Sequence, residues 1–160
     1  MSDSMYRNLM EYALRVLAMR AHTSTELRQK LRTHAERKRS VLTNELEEQV
    51  LNRLIELKLI DDEAFVRRQI ETAQTFRHEG LFKVAHKLQN KGIPLEDTKK
   101  LWSATGISEL DIAAASLGKI ASKISKIPKE KRFEKQARYL AGRGFSPETI
   151  YKVLRRSELP

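Results

Sequence analysis

Leu88-Gln89-Asn90-Lys91-Gly92-Ile93-Pro94-Leu95-Glu96 and, 52 residues further on, Leu140-Ala141-Gly142-Arg143-Gly144-Phe145-Ser146-Pro147-Glu148 follow one plan. In each, a leucine stands three residues before a basic-Gly-apolar triplet, and Lys100-Leu101 then falls opposite Lys152-Val153. A glycine just past the last helical residue supplies the left-handed conformation that closes a helix, and Pro94 or Ser146-Pro147 suits the opening of the next. Both stretches therefore read as second helix, glycine turn, third helix. A looser copy without glycine lies at Leu57-Lys58-Leu59-Ile60, ahead of Asp61. Three tandem three-helix units over 1–60, 61–107 and 108–160 account for this spacing. The alternative is that two unrelated segments share a common helix punctuation. A unit this small buries little apolar surface alone, so neighbours would lend their faces in an elongated array able to bend at its junctions. A compact domain of about nine helices would leave much the same pattern.

Outward from these turns the whole chain reads as all-α, because apolar residues recur at steps of three and four and no stretch alternates with period two. Leu9, Ala13, Val16 and Leu17 form one stripe. Thr23-Ser24-Thr25-Glu26 is a capping box that starts a helix burying Leu27 and Leu31. Leu46, Val50, Leu54 and Leu57 mark a third helix beyond the basic connection Arg37-Lys38-Arg39-Ser40. Asp61 can cap the next, with Asp62 and Glu63 in its first turn and Phe65, Ile70 and Ala73 on its inner side. Gly80 interrupts, a helix through Val84 and Leu88 follows, and Thr98, Leu101 and Trp102 lie on the one after Pro94. Ser108 opens the clearest stripe of all: Ala113, Leu117, Ile120, Ile124 and Ile127, read as a single helix up to Pro128. Phe133, Ala137 and Leu140 belong to the helix after it.

With 160 residues, 40% of them hydrophobic and 32% charged, the chain is too apolar for a disordered tail and too charged for a membrane protein. No apolar run reaches the roughly 20 residues of a spanning helix, and Met1-Ser2-Asp3-Ser4 does not open a leader, so a cytoplasmic protein without a membrane partner is expected. Cysteine is absent, which excludes disulfides, thiolate metal sites and thiol catalysis. The 31 Lys and Arg outweigh 21 Asp and Glu for a net charge of +10. By segment the balance is +5 over 1–40, −2 over 41–60, zero over 61–110 and +7 over 111–160. Positive charge concentrated at both ends favours a polyanionic partner, although a generally basic soluble surface reads the same way.

Three stretches carry a family resemblance: A-L-R-V-L-A-M-R-A-H-T-S-T-E-L-R-Q-K-L at Ala13–Leu31, L-I-D-D-E-A-F-V-R at Leu59–Arg67, and L-Q-N-K-G-I at Leu88–Ile93. Together they resemble the RecX family over nearly the whole chain. The matching residues are Arg20, His22, Glu26, Leu27, Lys30, Leu31, Ile60, Asp61, Asp62, Phe65, Lys91, Gly92 and Ile93, most of which read as caps and core. In the last unit the resemblance narrows to R-Y-L-x-x-R-G-F at Arg138–Phe145. It implies three-helix tandem repeats and a regulator that binds in the groove of the RecA filament. Such a protein usually suppresses RecA ATPase, strand exchange and co-protease activity, within homologous recombination, DNA repair and the SOS response.

The residues themselves offer a nucleic-acid surface and no active site. Lys119, Lys123 and Lys126, at steps of four and three, are expected on one helical face, continued by Lys129, Lys131, Arg132, Lys135 and Arg138, with Arg143, Arg155 and Arg156 near enough in sequence to extend it. Arg37, Lys38 and Arg39 form a second candidate. Phosphate contacts of this kind hold single- or double-stranded DNA without reading its bases; a solvated lysine face is the plainer reading. Glu36, Glu45, Glu47 and Glu48 could face a protein partner or serve a helix N-terminus. Trp102, Tyr139 and Tyr151 read as core before they read as base-stacking platforms. His22, His34, His78 and His86 have no metal-ligand spacing, and Gly142-Arg143-Gly144 is not a phosphate loop. Asp61-Asp62-Glu63 reads as cap and dipole partner rather than as catalytic carboxylates. The expectation is a monomeric, non-catalytic binding protein without cofactor or metal. A helix-turn-helix type DNA-binding regulator acting without RecA is the rival, since three-helix units with basic ends describe that class too.

Overall fold

A computed structural model describes residues 2–158, and its regular elements are all helical: α1 (Ser2–Met19), α2 (Ser24–Arg37), α3 (Asn44–Glu56), α4 (Asp62–Thr72), a π-helical turn (Ala73–Arg77), α5 (Leu81–Gln89), α6 (Leu95–Ala104), α7 (Glu109–Gly118), α8 (Ala121–Ser125), α9 (Lys129–Gly142) and α10 (Pro147–Glu158). The chain divides into two compact units, one ending at Phe65 and the other beginning at Val66.

In the first unit α1, α2 and α3 pack on one another around Leu9, Ala13, Leu27, Leu31, Val50, Leu54 and Ile60. The entry to α2 is the expected capping box: the Glu26 amide donates to Thr23 Oγ1 at 3.2 Å, and the Thr23 amide donates to the Glu26 carboxylate at 3.1 Å. Asp61 Oδ1 accepts from the Ala64 amide at 2.9 Å, as its capping role requires. Asp62 turns back instead and accepts from the Ser24 amide at 2.7 Å and the Ser24 hydroxyl at 2.5 Å. Leu57, expected inside, is the C-cap of α3 and is exposed.

In the second unit α5 packs on α6, and α7, α9 and α10 pack mutually around Ile112, Ala113, Leu140, Phe145, Val153 and Leu154. Ile70, Ala73 and Trp102 are buried as expected; Phe65, at the end of the first unit, is only half-buried. Two features depart from the sequence reading. The stripe from Ala113 to Ile127 is not one helix: α7 stops at Gly118, Ile120 leaves helical geometry, and α8 restarts for a single short stretch. The apolar spacing survives the break because Ile124 still turns inward. The other is the π turn after α4, which no periodicity announces and which closes on His78 in the left-handed region.

The repeated turns are geometrically alike. Gly92 and Gly144 have φ of 81° and 91°. Each donates its N–H three residues back, Gly92 to Gln89 O and Gly144 to Ala141 O, both at 3.0 Å, and the next residue donates five back, Ile93 to Leu88 O at 3.0 Å and Phe145 to Leu140 O at 3.2 Å. This double bond pattern satisfies the terminal carbonyls of a helix. In the first unit the turn between second and third helices is Arg37–Ser40: Arg39 has φ 52°, its N–H donates to Glu36 O, and Ser40 N–H donates to Ala35 O. The looser copy sought at Leu57–Ile60 has the same bonds, with Lys58 at φ 56°, but follows α3 rather than α2.

Candidate functional site

The structure separates the proposed phosphate-binding cations into two groups. Those held by backbone carbonyls come first. Lys119 is the C-cap of α7, and its Nζ donates to Phe76 O at 3.0 Å and Arg77 O at 3.2 Å, at the C-terminal end of the π turn. Arg132 donates from Nε to Ile127 O at 2.7 Å and from a terminal nitrogen to Ser125 O at 2.9 Å, which ties the α8–α9 link to α9. Arg143 donates to Arg77 O, and only 23% of its side chain is exposed. The expected single face through Lys119, Lys123 and Lys126 does not form, because the helix break at Ile120 separates Lys119 from the other two.

The remaining cations are exposed. Lys123 lies on α8 and Lys126 caps it; Lys129, Lys131 and Lys135 lie on α9, and Arg156 on α10. Lys131 and Lys135, four residues apart, share one face of α9 with Arg138, which pairs with Glu134 at 2.5 Å. Arg155 places its guanidinium 5.3 Å from the ring centroid of Tyr151. Arg37 ends α2, and Lys38 and Arg39 follow it, all three exposed.

Arg143 belongs to an arrangement that no motif announces. Glu79 is 4% exposed, and its carboxylate lies 2.9 Å from Lys87 Nζ, 3.3 Å from Lys83 Nζ and 3.8 Å from the Arg143 guanidinium. Burial raises a carboxyl pKa, but here the hydrogen bonds and charges of Lys87 and Lys83 outweigh it and hold Glu79 below its ordinary value. Beside it the backbone is crowded. Gly80 N–H donates to Arg143 O at 2.8 Å and Phe82 N–H to Gly144 O at 3.1 Å, and a Cβ on Gly80 would lie 2.4 Å from Gly144 O. Glu109 completes this junction by accepting from the Leu81 amide at 3.2 Å and from the Thr149 hydroxyl at 2.9 Å.

In the first unit the acidic cluster is structural in part. Glu47 is 2% exposed; Arg28 reaches it at 2.6 Å, and Arg32 grips it from Nε at 2.7 Å and a terminal nitrogen at 3.0 Å. Burial opposes its ionisation, yet bonds from Arg32 and Arg28 prevail and lower its pKa. Glu48 also pairs with Arg28, while Glu36 and Glu45 are exposed. His22 is buried with Nδ1 2.8 Å from Arg20 O, and burial lowers its pKa. His34 stacks on Tyr12 with centroids 4.0 Å apart and meets Asn8 Oδ1 at 2.9 Å, so neither histidine is disposed as a ligand. Among the described residues no group of three or more His, Asp and Glu could hold a metal ion, and no helix is long and apolar enough to cross a membrane. Of the aromatic residues, Trp102 is core and Tyr139 half-buried, but Tyr151, expected inside, is 53% exposed.

Comparison with known proteins adds sequence and fold relatives. A family model described as RecX, third three-helix domain, matches residues 108–154. The chain is 33% identical over 156 residues to the Regulatory protein RecX of Prosthecochloris aestuarii, covering 96% of both chains. It is 29% identical to that of Chlorobaculum tepidum, over 97% of this chain and 91% of the relative. The crystal structure of RecX from Lactobacillus salivarius has the same fold, with a TM-score of 0.83 over 99% of each chain at 19% identity.

Proposed function

Because this chain belongs to the RecX family of regulatory proteins, we propose that it binds RecA and RecA–DNA filaments and inhibits RecA's ATPase, recombinase and co-protease activities during DNA repair. The observation that carries this reading is a likeness running from one end of the chain to the other rather than through one shared motif. The proposal includes three tandem units at 1–60, 61–107 and 108–160, acting as a cytoplasmic monomer.

Physically, the regulator works by occupancy. Exposed cations of α8, α9 and α10 contact phosphates, and Arg37, Lys38 and Arg39 supply a second contact. Such contacts release condensed counterions and position the protein without reading bases, so single- and double-stranded DNA both serve. A body lying across neighbouring RecA subunits biases filament growth, disassembly and turnover by binding some states more tightly than others, and needs no chemistry of its own.

Titration into a DNA-dependent RecA ATPase assay tests the reading. The rate should fall as the protein saturates the filament; an unchanged rate and unchanged filament length at saturation would overturn it. Tight preference for one duplex sequence in the absence of RecA would point instead to a helix-turn-helix type regulator.

A further inference from the structure

Between α9 and α10 runs an open groove of about 480 Å³. One wall is Phe133, Ala137 and Ala141, spaced by four along α9; the other is Pro147, Ile150 and Tyr151. Nearly all the atoms facing the groove are carbon. Phe133 is 44% exposed and Tyr151 53%, whereas Leu140 of α9 and Val153 and Leu154 of α10 are buried in the core. The two small alanines leave room between the aromatic walls, where larger side chains would have filled it.

The rim is mixed, but the helix pair around it is cationic. On the α9 side Glu134 and Arg138 both line the groove and pair with each other at 2.5 Å, and on the α10 side Arg155 lies over Tyr151. Residues 129–158 contain nine Lys and Arg against four Asp and Glu. Two ion pairs, Glu134–Arg138 and Glu148–Lys152, take up two charges of each sign and leave seven cations against two acids. An apolar floor within this cationic excess selects its occupant by two separate criteria. A nucleobase satisfies the charge through its phosphate, but its ring edges carry donors and acceptors that would lose water against carbon and gain no partner. A bulky apolar side chain loses nothing there, and acidic neighbours in its own chain answer the cations.

We infer that this groove docks an acidic segment of a partner protein through one bulky apolar side chain, with Asp or Glu on either side of it. The site goes beyond the filament reading, because it requires neither filament nor DNA and names a surface that a soluble peptide can occupy.

The test is fluorescence anisotropy of a labelled synthetic peptide, a single Phe flanked by Asp and Glu, against the full chain, beside a twin in which Ala replaces the Phe. The Phe peptide should bind at least about tenfold more tightly than its twin, the ratio expected of one buried anchor. Ala141→Leu, which fills the groove from an exposed position, and Tyr151→Ala, which removes a wall, should each abolish that advantage; Arg155→Glu should weaken both peptides and flatten their salt dependence. Circular dichroism melts identify any variant that fails through unfolding, and A141L and Y151A test the groove independently. Equal binding of the two peptides overturns the inference, as does an undiminished Phe advantage in folded A141L. A loss of oligo(dT) affinity in A141L and Y151A as steep as the loss of peptide would make this a base-stacking groove and overturn it equally.

Discussion

Replacing Lys131 and Lys135 together by Gln should weaken DNA binding in a way that Arg132→Gln does not. The two lysines are exposed and share a face of α9, whereas Arg132 is committed to Ile127 O and Ser125 O. Each phosphate contact contributes about 0.9 to the slope of log K against log salt, so losing two should lower the slope by about 1.8. Extrapolated to 0.1 M salt, that is a loss of roughly sixtyfold in affinity, provided the contacts contribute nothing at 1 M. Arg132→Gln should leave the slope nearly unchanged and instead remove two charge-assisted bonds, each worth about 1.5 kcal/mol at a partly exposed site, for a drop in melting temperature of several degrees. Salt-titrated anisotropy on a labelled oligonucleotide, run beside thermal melts, separates the two effects. If R132Q flattens the slope as much as the double variant and melts like the parent, the division of the cations into structural and free groups is wrong. If the double variant retains the parental slope, α9 is not a phosphate surface.

Other consequences concern the devices that hold the fold. Glu47→Gln should cost about 2–3 kcal/mol, below the 3–5 of a fully buried broken pair because Arg28 and Arg32 remain partly solvated, as read from urea unfolding at neutral pH. Because the folded carboxyl of Glu47 titrates below its ordinary value of 4.5, its contribution is complete above that pH and lost as pH falls through the folded value; the gap between parent and E47Q should therefore close in acid unfolding curves. Gly80→Ala and Gly144→Ala should each destabilise by more than about 2 kcal/mol, since the added Cβ would lie 2.4 Å from Gly144 O in one case and from Lys83 N in the other. Gly142→Ala, in a helix with nothing within 4 Å, should instead gain about 0.5–1 kcal/mol in the same melts. Arg39→Gly should raise stability by up to about 1 kcal/mol by relieving a left-handed arginine at φ 52°. That variant should also lower the DNA salt slope by about 0.9 if the second basic cluster contacts phosphate.

The legible parts of the fold were those governed by local chemistry. Thr23 and Glu26 announce their capping box because both partners lie within one turn, and Gly92 and Gly144 announce their turns because few other residues adopt positive φ cheaply. Arg39 and Lys58 occupy the same geometry without the glycine, so the first repeat could only be placed by its hydrogen bonds. The break between α7 and α8 was hidden for a related reason: apolar periodicity records which residues turn inward, and Ile124 turns inward on either side of an interruption. The π turn from Ala73 to Arg77 inserts its extra residue without any change of composition.

The candidate site was legible as a density of charge but not as a surface. Lysine and arginine are the natural partners of orphan carbonyls at helix C-termini as well as of phosphates, and composition cannot distinguish these uses. Lys119 and Arg143 both reach the carbonyl end of the π turn, and Arg143 also faces Glu79; each is drawn there by an acceptor more than forty residues away in the sequence. Tyr151 erred in the opposite direction. Its helical spacing suits a core residue, but α10 is rotated so that Val153 and Leu154 face inward and the tyrosine stands at the lip of the groove. A basic helix in a chain of this kind is thus read correctly only once the acceptors have been assigned: the cations left over define where a polyanion can lie, and the apolar walls left between them define what else can.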